Sequence, residues 1–378
     1  MKIGFDAKRA FNNNTGLGNY SRFIIDALLK YAPENNYFAY TPKINKAPFT
    51  EKYINEALVN FKIKLPKSKK LKSFWRSFLI GKDLKRDEIQ IFHGLSNELP
   101  IGLKRKKIKS IVTIHDLIFE RYPNLYPAFD RFIYQIKFKK ACQHADVIVA
   151  ISEQTKRDIV NFYQINPEKI EVIYQDSDAI FKTKLEEEQI DSIKVKYDIH
   201  KKYLLCVATI AERKNQLMLV KAFHKLHLAD YELILVGGKS DYQKQIESYI
   251  QEHSLSNIKI FNKVPFSDLP ALYQGSSLFV YPSFFEGFGI PILEALHSGI
   301  PVIAATGSCL EEAGGKGALY ANPDDLNDLS SKILQVLSNK SLRKQMVLDG
   351  KQHIAQFSAE NIAKQLVNIY QNTLASSY

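Results

Sequence analysis

Short apolar runs alternate with helix-period segments along almost the whole chain. KIGFDA, IQIFH, SIVTIHD, DVIVAIS and IEVIY in the first half have the length and β-branched content of buried strands. YLLCVATI, YELILVGG, IKIFN, SLFVYPS and PVIAAT repeat the pattern in the second half. Between them, residues 18–31, 126–144, 215–228, 241–253, 267–274 and 290–298 place apolar side chains at helical spacing. Strand–helix alternation of this kind predicts an α/β fold with parallel sheets covered by helices. The polar stretch 182–201 interrupts the pattern and reads as an inter-domain region; a new series begins at Tyr203. The expected architecture is therefore two Rossmann-like, doubly wound domains facing across a cleft, over residues 1–180 and 181–356. A C-terminal helix over 357–378 is expected to pack back on the first domain. Ligands belong beyond the carboxyl ends of the strands, beside helix N-termini.

Composition narrows the partners. The chain has 378 residues, the size of two domains, and its three cysteines (Cys142, Cys206, Cys309) never form a C-x-x-C pair. That argues against a disulfide framework or a zinc site and fits a reducing cytosol. No apolar run approaches the roughly 18 to 20 residues of a membrane span, and the N-terminus reads as a strand rather than a signal peptide. The net charge of +12 lies wholly in residues 1–180, with 31 Lys+Arg against 19 Asp+Glu; the remainder has 21 of each. Residues 61–109 alone hold 15 basic and 4 acidic side chains. Such asymmetry points to a polyanion, either nucleic acid or an anionic membrane. In Lys62–Arg86, Phe74, Trp75, Phe78, Leu79 and Ile80 lie among Lys69, Lys70, Lys72, Arg76 and Lys82. That mixture suits an interfacial helix on the inner face of a membrane; the alternative is a solvated basic surface with a few core aromatics. No helix-turn-helix, zinc or RNA-recognition signature accompanies the charge, so no nucleic-acid partner is expected.

Two segments carry candidate chemistry. After YLLCVATI comes Ala211-Glu212-Arg213-Lys214-Asn215 and then an amphipathic helix. A guanidinium fork and an ammonium at a helix N-terminus can receive a diphosphate. A solvated surface turn is the competing reading. The second segment runs Ser283-Phe284-Phe285-Glu286-Gly287-Phe288-Gly289-Ile290-Pro291-Ile292-Leu293-Glu294-Ala295-Leu296. Pro291 suits a first helical turn and Gly299 a helix end, which puts Glu286 in a loop and Glu294 one turn inside an apolar helix. A carboxylate there needs hydrogen-bond donors, which ribose hydroxyls would supply. Gly287 and Gly289 leave backbone amides open to a sugar or phosphate. Asn14-Thr15-Gly16-Leu17-Gly18-Asn19-Tyr20, between the first strand and helix, is neither a G-x-G-x-x-G fingerprint nor a P-loop. Its two glycines admit positive φ and close backbone approach to a ligand.

The form F-E-G-F-G-x-P-x-L-E-A, followed by H-S-G-I-P-V, resembles glycosyltransferase family 4, retaining enzymes of the GT-B fold. T-G-L-G-N-Y, V-T-I-H-D-L, V-A-I-S-E-Q-T-K-R-D-I, E-R-K-N and the L-P-A-L-Y-Q helix extend the resemblance over most of the chain. It implies that Arg213 and Lys214 neutralise the donor diphosphate, that Glu294 holds the ribose hydroxyls, and that Glu286 with Gly287, Phe288 and Gly289 positions the transferred sugar. It further implies that Gly16 and Gly18 approach the phosphates or the acceptor, that His115 lies beside the sugar, and that Val264 contacts the nucleobase through its backbone.

The resemblance thus implies a metal-independent hexosyltransferase, with mannose the expected sugar. The donor would be a GDP- or UDP-linked sugar and no cofactor is needed. The acceptor would be a saccharide or lipid-linked glycan in surface polysaccharide or glycoconjugate synthesis. The expected location is cytoplasmic, peripheral on the inner membrane face. A sugar-nucleotide epimerase of the same fold and a nucleic-acid-binding protein are the alternatives. Asp176-Ser177-Asp178 spells the metal-binding D-x-D of another glycosyltransferase fold, but two cations already serve the phosphate, so it is read as an inter-domain turn. It is also a departure, since the family commonly has glycine where Asp176 stands. His93 is read as structural, and His224 with His227 lacks further metal ligands.

Overall fold

The computed structural model describes residues 1–55, 58–67 and 72–376. The chain divides into two compact units, Met1–Gln175 with Phe357–Tyr378, and Asp176–Gln356. Each is built on one parallel sheet.

The first sheet contains β1 (Lys2–Asp6), β2 (Asn36–Tyr40), β3 (Phe61–Lys64), β4 (Ile91–Gly94), β5 (Lys109–Ile114), β6 (Val147–Ala150) and β7 (Ile170–Val172). Their spatial order is β3-β2-β1-β4-β5-β6-β7. The second contains β8 (Lys202–Val207), β9 (Tyr231–Val236), β10 (Ile258–Phe261), β11 (Leu278–Tyr281), β12 (Val302–Ala305) and β13 (Ala318–Ala321), ordered β10-β9-β8-β11-β12-β13. Both orders reverse once, between β1 and β4 and between β8 and β11. In doubly wound sheets that reversal opens a crevice at the strands' carboxyl ends. The central strands are covered on both faces, which is why they read as continuous apolar runs. Leu204, Leu233, Leu278, Val280 and Ile303 form the middle of the second core with Phe223 and Ile333 from its helices. Each such side chain contributes on the order of 1.5–3 kcal/mol by leaving water.

Several boundaries differ from the sequence reading. The break falls after Gln175 rather than at 180, because the Asp176 carboxylate is ion-paired with Lys182 and lies 3.0 Å from His297 Nε2, both in the second unit. Residues 182–201 are not a linker. They carry the helix Glu187–Lys196 and are tied down by Leu185 N–H donating to Gln274 Oε1 (2.9 Å) and Tyr197 Oη donating to Asp268 (2.7 Å). The stretch reads as polar because no residue of that helix is buried.

The helix Ala359–Ala375 belongs to the first unit, where Ile362, Leu366 and Tyr370 are buried. His93 is fully buried between Tyr370 Oη (2.8 Å) and Thr113 Oγ1 (2.9 Å), a satisfied core histidine.

The basic segment Lys62–Arg86 divides. Phe61–Lys64 is the edge strand β3, while Trp75 and Ile80 are core residues beside Phe38, Leu84 and Phe92. Arg76 is committed to Asp6 and Glu98, each at 2.7 Å. Phe74, Phe78 and Leu79 remain exposed, and Lys69 and Lys70 lie outside the described residues. No helix among the described residues is long and apolar enough to cross a membrane.

Candidate functional site

The two strands flanking the reversal in the second sheet, β8 and β11, carry the two loops singled out in the sequence. β8 leads into a tight 3-10 turn, Glu212–Lys214, and Asn215 adopts a left-handed conformation (φ 58°) that starts the helix Gln216–Lys225. β11 leads into Ser283–Gly289 and the helix Ile290–His297, with proline in its first turn. The loops are stitched by Phe284 N–H donating to the Arg213 carbonyl at 3.0 Å, with Ser283 Oγ 3.2 Å from the same oxygen.

Arg213, Lys214 and Glu286 thereby form one largely buried ion cluster. Arg213 Nη1 lies 2.9 Å from Glu286 Oε1 and also donates to the Phe285 carbonyl. Lys214 Nζ is paired with the same carboxylate oxygen and donates to Tyr281 Oη at 2.8 Å. Tyr281 Oη (3.2 Å) and Ser283 Oγ (2.6 Å) both donate to Glu286 Oε1. Burial alone would raise the Glu286 carboxyl, but Lys214 and Arg213 outweigh it and hold the group down to about 2. Burial lowers the Lys214 ammonium, opposed by Glu286. Two cations and one anion leave the cluster with a net positive charge, the sign a phosphate-bearing ligand requires. Glu286 is thus enclosed and paired, not solvated.

The glutamate loop is braced from behind. Gly289 sits at φ 132°, and a Cβ there would meet Leu310 Cδ2 at 3.0 Å, so the turn into the helix demands glycine. The buried Cys309 thiol lies 3.0 Å from the Glu286 carbonyl and 3.1 Å from that of Phe288. Phe288 is buried, Gly287 partly so.

Glu294 lies one turn inside the helix, as expected, and accepts a 2.7 Å hydrogen bond from the fully buried Tyr273 Oη. Burial raises its carboxyl to about 7; the Tyr273 bond opposes this and nearby Asp178 adds to it. Asp178 itself caps the Ala179–Lys182 turn through Ile180 N–H at 3.0 Å, and Asp176 is held by Lys182 and His297. Neither aspartate of the D-x-D is without a structural task. Val264, beyond β10, is partly buried.

The remaining predicted residues belong to the first unit. His115 follows β5 and is buried, with Nε2 donating to the Leu95 carbonyl at 2.9 Å, which makes Nδ1 the acceptor nitrogen. Burial lowers the ring to about 4, so it is neutral at physiological pH. Tyr20 meets it edge-on at 4.6 Å between ring centroids. The glycines depart from expectation. Gly16 and Gly18 are inside the helix Gly16–Tyr31 rather than in a loop, and neither has positive φ. A Cβ on Gly18 would come within 1.8 Å of the Asn13 carbonyl oxygen, so this glycine serves a backbone contact within the protein. Gly16 faces open space.

Sequence reasoning missed Tyr273, Tyr281, Ser283 and Cys309. Among 20 tyrosines and 23 phenylalanines, aromatic residues in apolar runs read as core. Only their position just before the glutamate segment could have distinguished the two tyrosines.

Residues 28–175 match Glycosyltransferase Family 4 and residues 188–353 match Glycosyl transferases group 1. The chain belongs to this glycosyltransferase family and is a glycosyltransferase of the GT-B fold. It is similar to O-antigen chain mannosyltransferase B of Escherichia coli, 30% identical over 286 residues, which cover 74% of each chain. O-antigen chain mannosyltransferase RfbU of Salmonella typhimurium is 31% identical over 60% of each. Among solved structures, a glycosyltransferase from Rickettsia africae matches 100% of this chain and 99% of its own, with TM-score 0.77 and 20% identity. HepE of Anabaena, in complex with UDP and glucose, matches 98% and 100% with TM-score 0.76 and 17% identity.

Proposed function

We propose that the chain transfers a hexose, mannose in the first instance, from a GDP- or UDP-linked donor to a saccharide or lipid-linked glycan during surface polysaccharide synthesis, with retention of configuration. The observation that carries the reading is the Arg213–Lys214–Glu286 cluster at the chain reversal of the second sheet. Its two cations match the charge of a diphosphate leaving group, which grows as the glycosidic bond breaks. Neutralisation by fixed cations makes the proposed reaction independent of metal. The mannosyltransferase relatives support the sugar and the polysaccharide setting.

In this reading Glu294 receives the ribose hydroxyls and the Val264 backbone the base. Glu286, with the amides of Gly287, Phe288 and Gly289, orients the sugar. Gly16 approaches the phosphates or the acceptor from the first unit, Gly18 supports that approach through its close packing on Asn13, and His115 lies beside the sugar as a neutral hydrogen-bonding group. Positioning and electrostatics supply the rate, and the departing phosphate takes the acceptor proton.

A thermal-shift panel of UDP-, GDP-, ADP- and dTDP-sugars in the presence of EDTA tests the proposal. One nucleotide is expected to raise the midpoint by several degrees; a shift that appears only on adding a divalent cation would defeat metal independence.

A further inference from the structure

In the first sheet the strand order reverses between β1 and β4. Just beyond the carboxyl ends there, Lys8 and Arg9 follow β1, Glu98 follows β4 and His115 follows the adjacent β5. Part of this charge is balanced within the protein. Asp6, the buried last residue of β1, lies 2.7 Å from Arg76 Nε. Arg76 Nη2 reaches one Glu98 oxygen at 2.7 Å, and Lys137 Nζ lies 3.5 Å from the other. Two carboxylates there meet two cations.

Lys8 and Arg9 are the surplus. Both are partly buried, and neither side chain has an ion pair or hydrogen bond among the described residues. Asp116, just after His115, accepts from Ile118 N–H at 3.1 Å and pairs with neither. Arg22, a buried guanidinium on the following helix, shows the contrast: it donates to the Ala10 and Asn13 carbonyls, each at 2.8 Å. Burial lowers the Lys8 ammonium, and Arg76 and Arg9 lower it further against Glu98 and Asp6. Arg9 also adds to the burial that keeps the His115 ring neutral. A cation that loses hydration without gaining a partner is costly, whereas a fully solvated one is not. Two such cations beside the crevice where a doubly wound sheet takes its ligand are a site for an anion.

The kind of anion follows from the pair. A guanidinium fork beside an ammonium suits the tetrahedral oxygens and the charge of a phosphate. On the proposed reading the donor diphosphate is already matched by Arg213 and Lys214 of the second unit. The first unit's pair is then available to the other substrate.

We propose that Lys8 and Arg9 bind a phosphate ester carried by the acceptor, either a monophosphate or a diphosphate. Arg76 is a positioning residue, because it occupies the two carboxylates that would otherwise neutralise Lys8. The proposal deepens the reading of a saccharide or lipid-linked acceptor, on which it rests for its purpose.

Calorimetric titration of the full chain, saturated with the nucleoside diphosphate chosen by the thermal panel, tests it with inorganic phosphate and with inorganic pyrophosphate. Saturation occupies Arg213 and Lys214, so a further binding event reports the first unit. Stronger binding of phosphate indicates a monophosphate ester, and stronger binding of pyrophosphate a diphosphate. Lys8→Ala/Arg9→Ala should weaken that event by at least about tenfold. The melting midpoint and nucleoside diphosphate affinity should hold, since neither side chain has a partner to lose. Lys8→Arg, which keeps the charge, should retain most of the binding. No further event in the wild type, or an equal one in the double variant, would overturn the proposal. So would a matching loss of nucleoside diphosphate affinity, which would give the pair to the donor. If no nucleotide binds at all, the donor site fails; pyrophosphate binding that the double variant loses would still support this one.

Discussion

At the residue scale, the carboxylates Glu286 and Glu294 differ in what surrounds them. Glu286 has two cations and stays ionised at any working pH. Glu294 has the Tyr273 hydroxyl as donor, Asp178 nearby as a like charge, and His297, on its own helix, engaged by Asp176. Its raised carboxyl is protonated in the unliganded protein below about 7. If ribose hydroxyls bind the carboxylate, donor affinity rises with pH through that value and levels off above it, by up to about tenfold per unit on the acid side. Tyr273→Phe removes the bond that lowers the carboxyl, so the midpoint should move to higher pH. Titrations between pH 5.5 and 8.5 check this, and an unmoved midpoint would dissociate Tyr273 from donor binding. Glu286→Gln leaves two cations uncompensated. Free nucleoside diphosphate should then bind as tightly or more tightly, while transfer falls on the order of a hundredfold. Equal loss of both would argue that Glu286 only braces the loop.

At the element scale, the strands that support the site were legible because they are continuous apolar runs, and Pro291 and Gly299 marked the helix bearing Glu294. β2, β3 and β13 were not, since NYFAY and FKIK mix polar with apolar residues and ALYA is too short to stand out. The helix Glu187–Lys196 reads as an inter-domain region because its charged positions outnumber Ile190 and Ile193, which are only partly buried. Tyr273 and Tyr281 escaped for the opposite reason: buried tyrosines with a polar task look like core until their hydroxyl partners are seen. The glycine segment shows how spacing misleads. Gly18→Ala should cost about 2–3 kcal/mol, because its Cβ would strike a backbone carbonyl that cannot turn aside. Gly16→Ala should be neutral or stabilise by up to about 1 kcal/mol, since the space is open and alanine favours helix. Denaturant unfolding of the pair distinguishes a fold-bearing glycine from one kept for a ligand.

At the scale of the whole molecule, charge and chemistry are divided between the units. The first carries all the excess positive charge and a neutral histidine. The second, with as many acids as bases beyond residue 180, places two of its cations, Arg213 and Lys214, in one largely buried cluster. A family assignment says that such a chain moves sugars; the cluster says where the second unit would hold an activated one. Calorimetric titration of the nucleotide sugar chosen by the thermal panel, in EDTA, against wild type, Arg213→Ala and Glu294→Ala is the most direct test. Binding by wild type and a weakening of at least about a hundredfold in each folded variant, near 2.7 kcal/mol, is the predicted result. Full affinity in both variants would contradict the assignment of the site.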